Sequence, residues 1–183
     1  TREALDPVRY ISNNSSGKMG YALARAAADA GAITTLVSGP VSLTPPDHIR
    51  FFGIQSAEQM LRQCLDLLPE CDIFIACAAV ADYRPATSEN QKIKKESQEM
   101  TLQLVRTPDI VTAVATSKHR PYTVGFAAES NNLLTYARNK MQGKGLDMII
   151  ANDISDQSIG FNSDDNEVTV MWHDGQQLLK RAN

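Results

Sequence analysis

Short apolar runs and longer amphipathic runs alternate along the chain. Apolar residues at every second position predict strands, whereas a spacing of three or four predicts helices. Residues 72–79 form a nearly continuous apolar run, which is typical of a strand buried on both faces. Strands are predicted over residues 8–11, 33–38, 50–54, 72–79, 100–106, 122–127 and 146–151, and helices over residues 17–30, 56–68, 109–117 and 132–142. This alternation indicates a mostly parallel sheet covered by helices on both faces.

The last part of the chain predicts a β-hairpin. Residues 167–172 and 176–179 have strand patterns, and His173-Asp174-Gly175 between them forms a turn. The predicted fold class is therefore α/β, a three-layer Rossmann-like fold with a mostly parallel sheet and a C-terminal β-hairpin. With 183 residues, 43% of them hydrophobic, we expect one domain over residues 1–183. Its abrupt ends at Thr1 and Asn183 predict a domain cut from a longer polypeptide.

Polar or glycine-containing segments follow the ends of several predicted strands. In sheets of this class, ligands bind beyond the carboxyl ends of the strands, where the strand order reverses. We expect four segments to converge there: residues 13–20, 78–95, 125–131 and 151–153.

The first of these segments has the composition of an anion-binding loop. Ser15 and Ser16 are candidate N-caps of the helix that follows. The free N–H groups of a first helical turn attract phosphates and carboxylates, and Gly17 and Gly20 allow a close approach to the backbone. An ordinary capped helix start gives the same local pattern, so both interpretations stay open.

Two nucleotide-binding fingerprints are absent from this segment. A P-loop would need glycine where Ser12 stands, and a hydroxyl residue after Lys18, where the chain has Met19. The dinucleotide pattern G-x-G-x-x-G is also missing. In addition, no acidic residue follows the strand over residues 33–38 to hold a ribose hydroxyl. The sequence therefore disfavours both a P-loop enzyme and an oxidoreductase that uses a dinucleotide.

Lysines provide candidate phosphate contacts in two places. The sequence Lys-Ile-Lys-Lys at residues 92–95 ends a long polar loop of the kind that often forms a lid, and a mobile lysine can follow charge that develops on a polyphosphate. Lys140 and Lys144 are spaced i, i+4 and share one helix face. For residues 92–95 the alternative is a solvated run of surface lysines. For Lys140 and Lys144 the alternative is that the helix dipole favours basic residues near the C-terminal end of a helix. Phe126 either stacks on a base or fills the core.

Composition excludes several other classes. The net charge of −3 disfavours non-specific binding to nucleic acid, and no apolar run is long enough for a membrane span. The three cysteines lack metal spacing and suit a reducing cytoplasm. Neither an activated serine or cysteine nor a carboxylate pair with clear acid–base logic is evident. Lysines, asparagines, backbone amides and one aspartate remain, a set that suits phosphoryl or nucleotidyl transfer.

Six motifs together resemble phosphopantothenoylcysteine synthetase, the synthetase half of a bacterial bifunctional coenzyme A biosynthesis protein. They occur in the same order in that family: Asn13-Asn14-Ser15-Ser16-Gly17-Lys18-Met19-Gly20, Ala78-Ala79-Val80-Ala81-Asp82-Tyr83, Lys92-Ile93-Lys94-Lys95, Thr107-Pro108-Asp109-Ile110-Val111, Gly125-Phe126-Ala127-Ala128-Glu129 and Ala151-Asn152-Asp153. Each motif alone is weak, but six in order over nearly the whole chain are specific.

The resemblance implies a reaction in two steps. The carboxylate of 4′-phosphopantothenate attacks the α-phosphate of CTP, which releases pyrophosphate and forms an acyl-cytidylate. The amine of cysteine then attacks the acyl carbon and yields 4′-phosphopantothenoyl-cysteine and CMP. The family uses Mg²⁺ as cofactor, usually forms homodimers, and carries FMN only in the decarboxylase half of the longer chain. CTP rather than ATP is implied by the resemblance alone.

The resemblance also assigns residues to the reaction. Asn13 corresponds to the family asparagine that contacts the acyl-nucleotide, and Lys92 to the first lysine of a mobile basic motif near the triphosphate. Nucleotide-binding positions of the family fall on Ala76, Cys77, Ala78, Asp82, Lys92, Pro108, Asp109, Ile110, Val111, Phe126, Lys140 and Lys144. The metal ligands stay unassigned. A non-catalytic nucleotide sensor is the second rival to this interpretation.

Overall fold

The computed structural model describes residues 1–95, 98–129, 132–153 and 166–182. Eleven strands and four α-helices lie in these ranges. The strands are β1 (Arg2–Asp6), β2 (Arg9–Ser12), β3 (Thr35–Ser38), β4 (Arg50–Gly53), β5 (Ile73–Ala76), β6 (Tyr83–Pro85), β7 (Leu104–Arg106), β8 (Tyr122–Glu129), β9 (Met148–Asp153), β10 (Asn166–Trp172) and β11 (Gly175–Ala182). The helices are α1 (Lys18–Asp29), α2 (Ala57–Leu67), α3 (Ile110–Ala115) and α4 (Leu133–Lys144).

The central sheet has five strands in the order β11-β10-β9-β8-β5. Strands β5, β8 and β9 are parallel, with Ala76 opposite Gly125 and Ala127 opposite Ala151. Strands β10 and β11 form the predicted C-terminal hairpin, which adds antiparallel to β9. The mixed sheet confirms the predicted α/β fold class, and a separate parallel pair joins β3 and β4.

Helix α4 covers one face of β8 and β9 and builds the larger core. Residues two apart on a strand share a face, so Ile149 and Ala151 both point toward the helix side. They are fully buried, together with Ala137 of α4 and Met171 of β10. Gly125, opposite Ile149 on β8, allows Leu146 to pack against the strand, since a β-carbon there would lie 2.6 Å from Leu146 Cδ1.

A second core lies between α2 and α3. Met60, Cys64, Ile110 and Val114 form its buried centre, and Phe74 of β5 packs against it. Helix α2 begins with a capping box, in which Ser56 Oγ accepts from the backbone N–H of Gln59 and the Gln59 side chain accepts from that of Ser56. This core attaches the two helices to the first strand of the parallel sheet.

Two short antiparallel pairs depart from the predicted alternation. The segment predicted as a strand over residues 8–11 is β2, which forms a hairpin with β1, a strand that the sequence did not predict. The strand predicted over residues 100–106 is limited to β7, which pairs with β6. Each pair forms a separate two-stranded sheet outside the central sheet.

The other predicted boundaries hold to within a few residues, except that the apolar run over residues 72–79 forms a strand only to Ala76. Residues 130–131 of the predicted segment over 125–131, and the predicted loop before β10, lie outside the described residues. Among the described residues no helix has both the length and the apolarity that a membrane crossing requires.

Candidate functional site

The first turn of helix α1 packs against Cys77, the first residue after β5. Its N-cap is Gly17 in the left-handed conformation, with φ of 79°. The prediction of Ser15 or Ser16 as N-cap is therefore wrong: Ser15 Oγ accepts from Gly17 N, and Ser16 Oγ is 3.4 Å from Lys18 N. A β-carbon at Gly20 would lie 3.1 Å from Cys77 Sγ, so glycine permits the close packing of helix and strand end.

The segment after β2 is tied to the segment after β5 by Asn13. Its side-chain Nδ2 donates to the carbonyl of Val80 at 3.0 Å, although the two residues are 67 positions apart. The loop is held on its other side by Thr107, whose N–H donates to Asp82 O at 3.0 Å and whose hydroxyl donates to Ala81 O at 2.5 Å. Asn13, in the segment after β2, and Asp82, in the segment after β5, both have side chains exposed to solvent.

Phe126 lies beside the end of β5. Because Ala76 pairs with Gly125, Phe126 comes level with Cys77, the first residue after β5. Lys140 Nζ donates to the carbonyl of Phe126 at 2.6 Å. This contact holds the lysine of α4 against the strand that carries the aromatic ring. The Phe126 side chain is partly buried, so it retains an accessible surface.

Burial of Cys77 raises the pKa of its thiol to about 11. The group is therefore a neutral thiol near pH 7, which excludes a thiolate nucleophile at this position, and its sulfur packs against Gly20 of α1.

Asp109 and Lys144 join the predicted turn at residues 108–111 to the end of α4. Lys144 Nζ lies 3.0 Å from Asp109 Oδ2, and Asp109 also caps α3 by accepting from Thr112 N at 3.1 Å. Burial alone would raise the pKa of Asp109, but its hydrogen bonds with Thr112 and Lys144 outweigh this effect and lower the pKa. The lysine predicted to bind nucleotide is thus paired with a carboxylate in this structure.

Replacement of Asp109 separates its two roles. We expect Asp109→Ala to lower the free energy of unfolding by about 1 kcal/mol, because the N-cap is lost. Asp109→Asn retains a capping oxygen and loses only a half-exposed ion pair, so its cost should stay below about 1 kcal/mol. Urea unfolding of both variants measures the difference, and equal losses would contradict the capping role.

The basic segment at residues 92–95 rests on the hairpin of β1 and β2. Asp6 Oδ2 accepts from Ile93 N at 3.1 Å, and Arg9 Nη2 donates to Ile93 O at 2.5 Å. The side chain of Lys92 is exposed beside an open hollow of about 520 Å³ lined by Val8, Arg9 and residues 92–95. Among the described residues, no hydrogen bond or ion pair joins Lys92 directly to Asn13, Phe126 or Lys140.

Asp6 is the most enclosed carboxylate of this region, with 0% side-chain exposure. Burial would raise its pKa, but hydrogen bonds from the backbone N–H groups of Val8, Ile93 and Arg9 and from the Arg9 guanidinium lower it. The local sequence pattern does not reveal a role for Asp6 or Arg9, since its only signal is the Asp-Pro pair at residues 6–7, which favours a turn.

The lowered pKa of Asp6 predicts a defined pH dependence of stability. A carboxylate with a depressed folded pKa stabilises the protein fully above its unfolded pKa of about 3.9, and this contribution is lost as pH falls through the folded pKa. We expect the stability gap between wild type and Asp6→Asn to be constant above about pH 5 and to shrink below it. Urea unfolding at a series of pH values measures this gap, and a gap that widens in acid would contradict the assignment.

The structure brings several of the predicted residues to one edge of the sheet. Asn13, Cys77, Asp82, Phe126 and Lys140 lie near the end of β5 through the contacts described above. The segment predicted over residues 151–153 runs beside β8, with Asn152 opposite Ala128. Buried Asn152 Oδ1 has no hydrogen-bond partner among the residues that the structure describes. Within the described part of the chain no group of three or more His, Cys, Asp or Glu side chains could hold a metal ion.

The fold and this edge define a class: an α/β protein with a mixed sheet, in which amide and lysine side chains lie near the carboxyl end of the parallel strand β5. The chain belongs to the family of DNA/pantothenate metabolism flavoprotein C-terminal domains, whose family model matches residues 1–183. This membership confirms the resemblance inferred from the six motifs.

Individual relatives agree with the family. The chain is 54% identical over 182 residues to the coenzyme A biosynthesis bifunctional protein CoaBC of Vibrio vulnificus (strain CMCP6), covering 98% of this chain and 45% of the relative. It is also 54% identical over 183 residues to the CoaBC protein of Escherichia coli (strain K12), with the same coverages. The chain therefore spans about half the length of these curated relatives.

A solved structure supports the same placement. The crystal structure of the C-terminal domain of a coenzyme A biosynthesis bifunctional protein CoaBC is 39% identical, with a TM-score of 0.82. The match covers 98% of this chain and 81% of that chain.

Proposed function

We propose that the protein is a phosphopantothenate–cysteine ligase of coenzyme A biosynthesis. CTP would activate the carboxylate of 4′-phosphopantothenate as an acyl-cytidylate, and the amine of cysteine would displace CMP to form the amide. A carboxylate is a poor electrophile, and conversion to a nucleotidyl ester gives its acyl carbon a good leaving group. Family membership and the names of the CoaBC relatives support the pathway, while the substrates and the steps are the proposal.

The observation that carries this proposal is the gathering of neutral amide and lysine groups at the end of β5. Asn13 bonds to the loop after β5, while Lys140 bonds to the carbonyl of Phe126 beside that strand end. Nucleotidyl transfer needs positioning and neutralisation of charge more than a nucleophilic side chain. The side chains at the end of β5 would provide positioning and charge neutralisation, and Cys77 beside them is a neutral thiol.

Five of the predicted site residues have a proposed task. Because Asn13 uses one N–H on Val80, its amide is oriented, and its remaining N–H can donate to the acyl oxygen as negative charge develops there. Lys92 would approach the β- and γ-phosphates and favour departure of pyrophosphate. Phe126 would pack on the base or sugar, and Lys140 and Lys144 would contact the phosphates, Lys144 after leaving Asp109.

Mg²⁺ is part of the proposal as an ion bound together with the nucleotide. The ion takes one or two carboxylates plus substrate phosphates, so a cluster of three acidic residues is not needed. Asp82 fits this donor set, because its exposed carboxylate has no ion-pair or hydrogen-bond partner among the described residues. When bound, the ion would neutralise charge on the triphosphate.

We also propose that the domain works in the cytoplasm as a homodimer and belongs to a longer chain that carries a flavin-dependent decarboxylase. The dimer is supported by exposed apolar side chains on one face of the central sheet. Ile73 is 62% exposed and its neighbour across the strands, Tyr122, is 43% exposed. Apolar surface of this kind often marks an interface between proteins. Sedimentation equilibrium tests the dimer.

A pyrophosphate-release assay tests the proposed function. We expect release that requires CTP and phosphopantothenate together, without cysteine in the first turnover, and amide formation once cysteine is added. Binding of CTP without release of pyrophosphate in the full mixture would indicate a nucleotide sensor. Saturable binding of NADPH, followed by fluorescence, would instead favour an oxidoreductase.

A further inference from the structure

We infer that Asp6 is a positioning residue for Lys92. This inference rests on the proposed function, because it assigns Asp6 to the step in which Lys92 assists the departure of pyrophosphate. Asp6 lies at the end of β1, in a strand and a hairpin that carry none of the predicted nucleotide-binding residues.

The geometry that carries the inference is a carboxylate shared between two segments. Asp6 Oδ1 accepts from the N–H groups of Val8 and Arg9, both at 2.9 Å, and this closes the hairpin turn. Asp6 Oδ2 accepts from Arg9 Nε at 2.9 Å and from Ile93 N at 3.1 Å. One buried group therefore joins the hairpin to a residue 87 positions later.

Arg9 completes the connection from the opposite side. Its Nη2 lies 2.7 Å from Asp6 Oδ2 and donates to the carbonyl of Ile93 at 2.5 Å. The backbone N–H and C=O of Ile93 are thus both bonded to this carboxylate–guanidinium pair. Charge-assisted bonds of this kind are stronger than neutral ones and fix direction as well as distance.

The consequence concerns Lys92, the residue directly before Ile93. Its side chain is exposed beside the hollow, whereas its backbone is held next to a fixed residue. The ammonium group can therefore move within the reach of one side chain while the segment itself stays docked. Glu89 N also donates to Leu5 O at 3.0 Å, which gives the docked segment a second anchor on β1.

Asp6→Asn tests the inference, because asparagine has the same shape as aspartate. Its amide has only one acceptor oxygen and no charge, whereas both oxygens of Asp6 accept hydrogen bonds. A misplacement of about 1 Å can cost about 100-fold in rate. We expect kcat for pyrophosphate release to fall by about 10- to 100-fold, with a smaller change in KM for CTP. Trypsin should also cleave after Lys92, Lys94 or Lys95 several-fold faster than in the wild type.

Asp147→Asn is the matched control. Asp147 also accepts from an arginine, Arg120, and from a backbone N–H, that of Thr123, but it lies between α4 and β9, away from the basic segment. This variant should lose stability without accelerating cleavage at residues 92–95 or slowing pyrophosphate release.

Arg9→Lys is the second test variant if Asp6→Asn does not fold, because it keeps the charge and loses the paired donors to Asp6 and Ile93.

A double-mutant cycle decides whether Asp6 acts through Lys92. In a Lys92→Gln background, Asp6→Asn should slow pyrophosphate release by less than about 2-fold, since the lysine to be positioned is gone. An equal loss in both backgrounds, or unchanged trypsin cleavage, would overturn the inference. A wild-type protein that releases no pyrophosphate would overturn the proposed function, and the trypsin result would then still decide whether Asp6 holds the segment.

Discussion

Lys92→Gln is expected to reduce CTP-dependent pyrophosphate release by about 100-fold or more while leaving the fold intact. Glutamine has nearly the same length and hydrogen-bonding capacity but no charge to follow the charge that moves onto the leaving group. Because Lys92 is exposed and only the neighbouring Ile93 is bonded to the hairpin, the substitution should not disturb packing. Stopped-flow pyrophosphate detection and urea unfolding together measure the two effects.

Lys118→Gln provides the control for Lys92→Gln. Lys118 is also an exposed lysine, but it lies between α3 and β8. Loss of one positive charge there should leave pyrophosphate release within about 2-fold of the wild type, since exposed charges are screened beyond about 10 Å. Near-normal release by Lys92→Gln would remove this lysine from the proposed mechanism.

Asn13→Asp is expected to act mainly on the second half-reaction, with a loss of about 100-fold or more in amide formation. Removal of a single donor to a developing oxyanion costs about 100- to 1000-fold. The substitution would also place a carboxylate oxygen against the carbonyl of Val80, where Asn13 Nδ2 now donates at 3.0 Å. The acyl-cytidylate should therefore accumulate, which rapid quench and mass spectrometry can detect.

The control for this variant is Gln177→Glu, which adds the same charge at an exposed residue of β11. It should form the amide at the wild-type rate in single turnover. Unchanged amide formation by Asn13→Asp, with no accumulated intermediate, would contradict the role proposed for Asn13.

The order of apolar and polar positions was sufficient to predict the sheet and most of its helices. The apolar runs of β8 and β9 are visible in a short window of sequence, and Ala127, Ile149 and Ala151 from these runs pack in the core with helix α4. The C-terminal hairpin was predicted from its turn residues, and the structure confirms it. The motifs also placed Asn13 directly after a strand, where the structure has it, whereas Phe126 lies within β8 rather than after it.

Strand β1 could not be predicted in this way, because two of its buried residues are acidic. Glu3 is only 3% exposed and its Oε1 accepts from Ala57 N, 54 positions later, at the start of α2. Asp6 is equally enclosed and accepts from Ile93 N. A buried carboxylate is stable only when hydrogen-bond donors pair with it. The donors to Glu3 and Asp6 from Ala57 and Ile93 are distant in sequence, so the residues next to these carboxylates do not predict them.

The sequence by itself therefore determined the class of fold, the loops that follow β2 and β5, and the residue types that suit nucleotidyl transfer. Only the tertiary structure decided that Lys144 is paired with Asp109, that Asn13 is oriented by Val80, and that the basic segment is docked on the first hairpin. The physical reason is range: hydrophobic periodicity is a local property, whereas each of these bonds joins groups at least 35 positions apart.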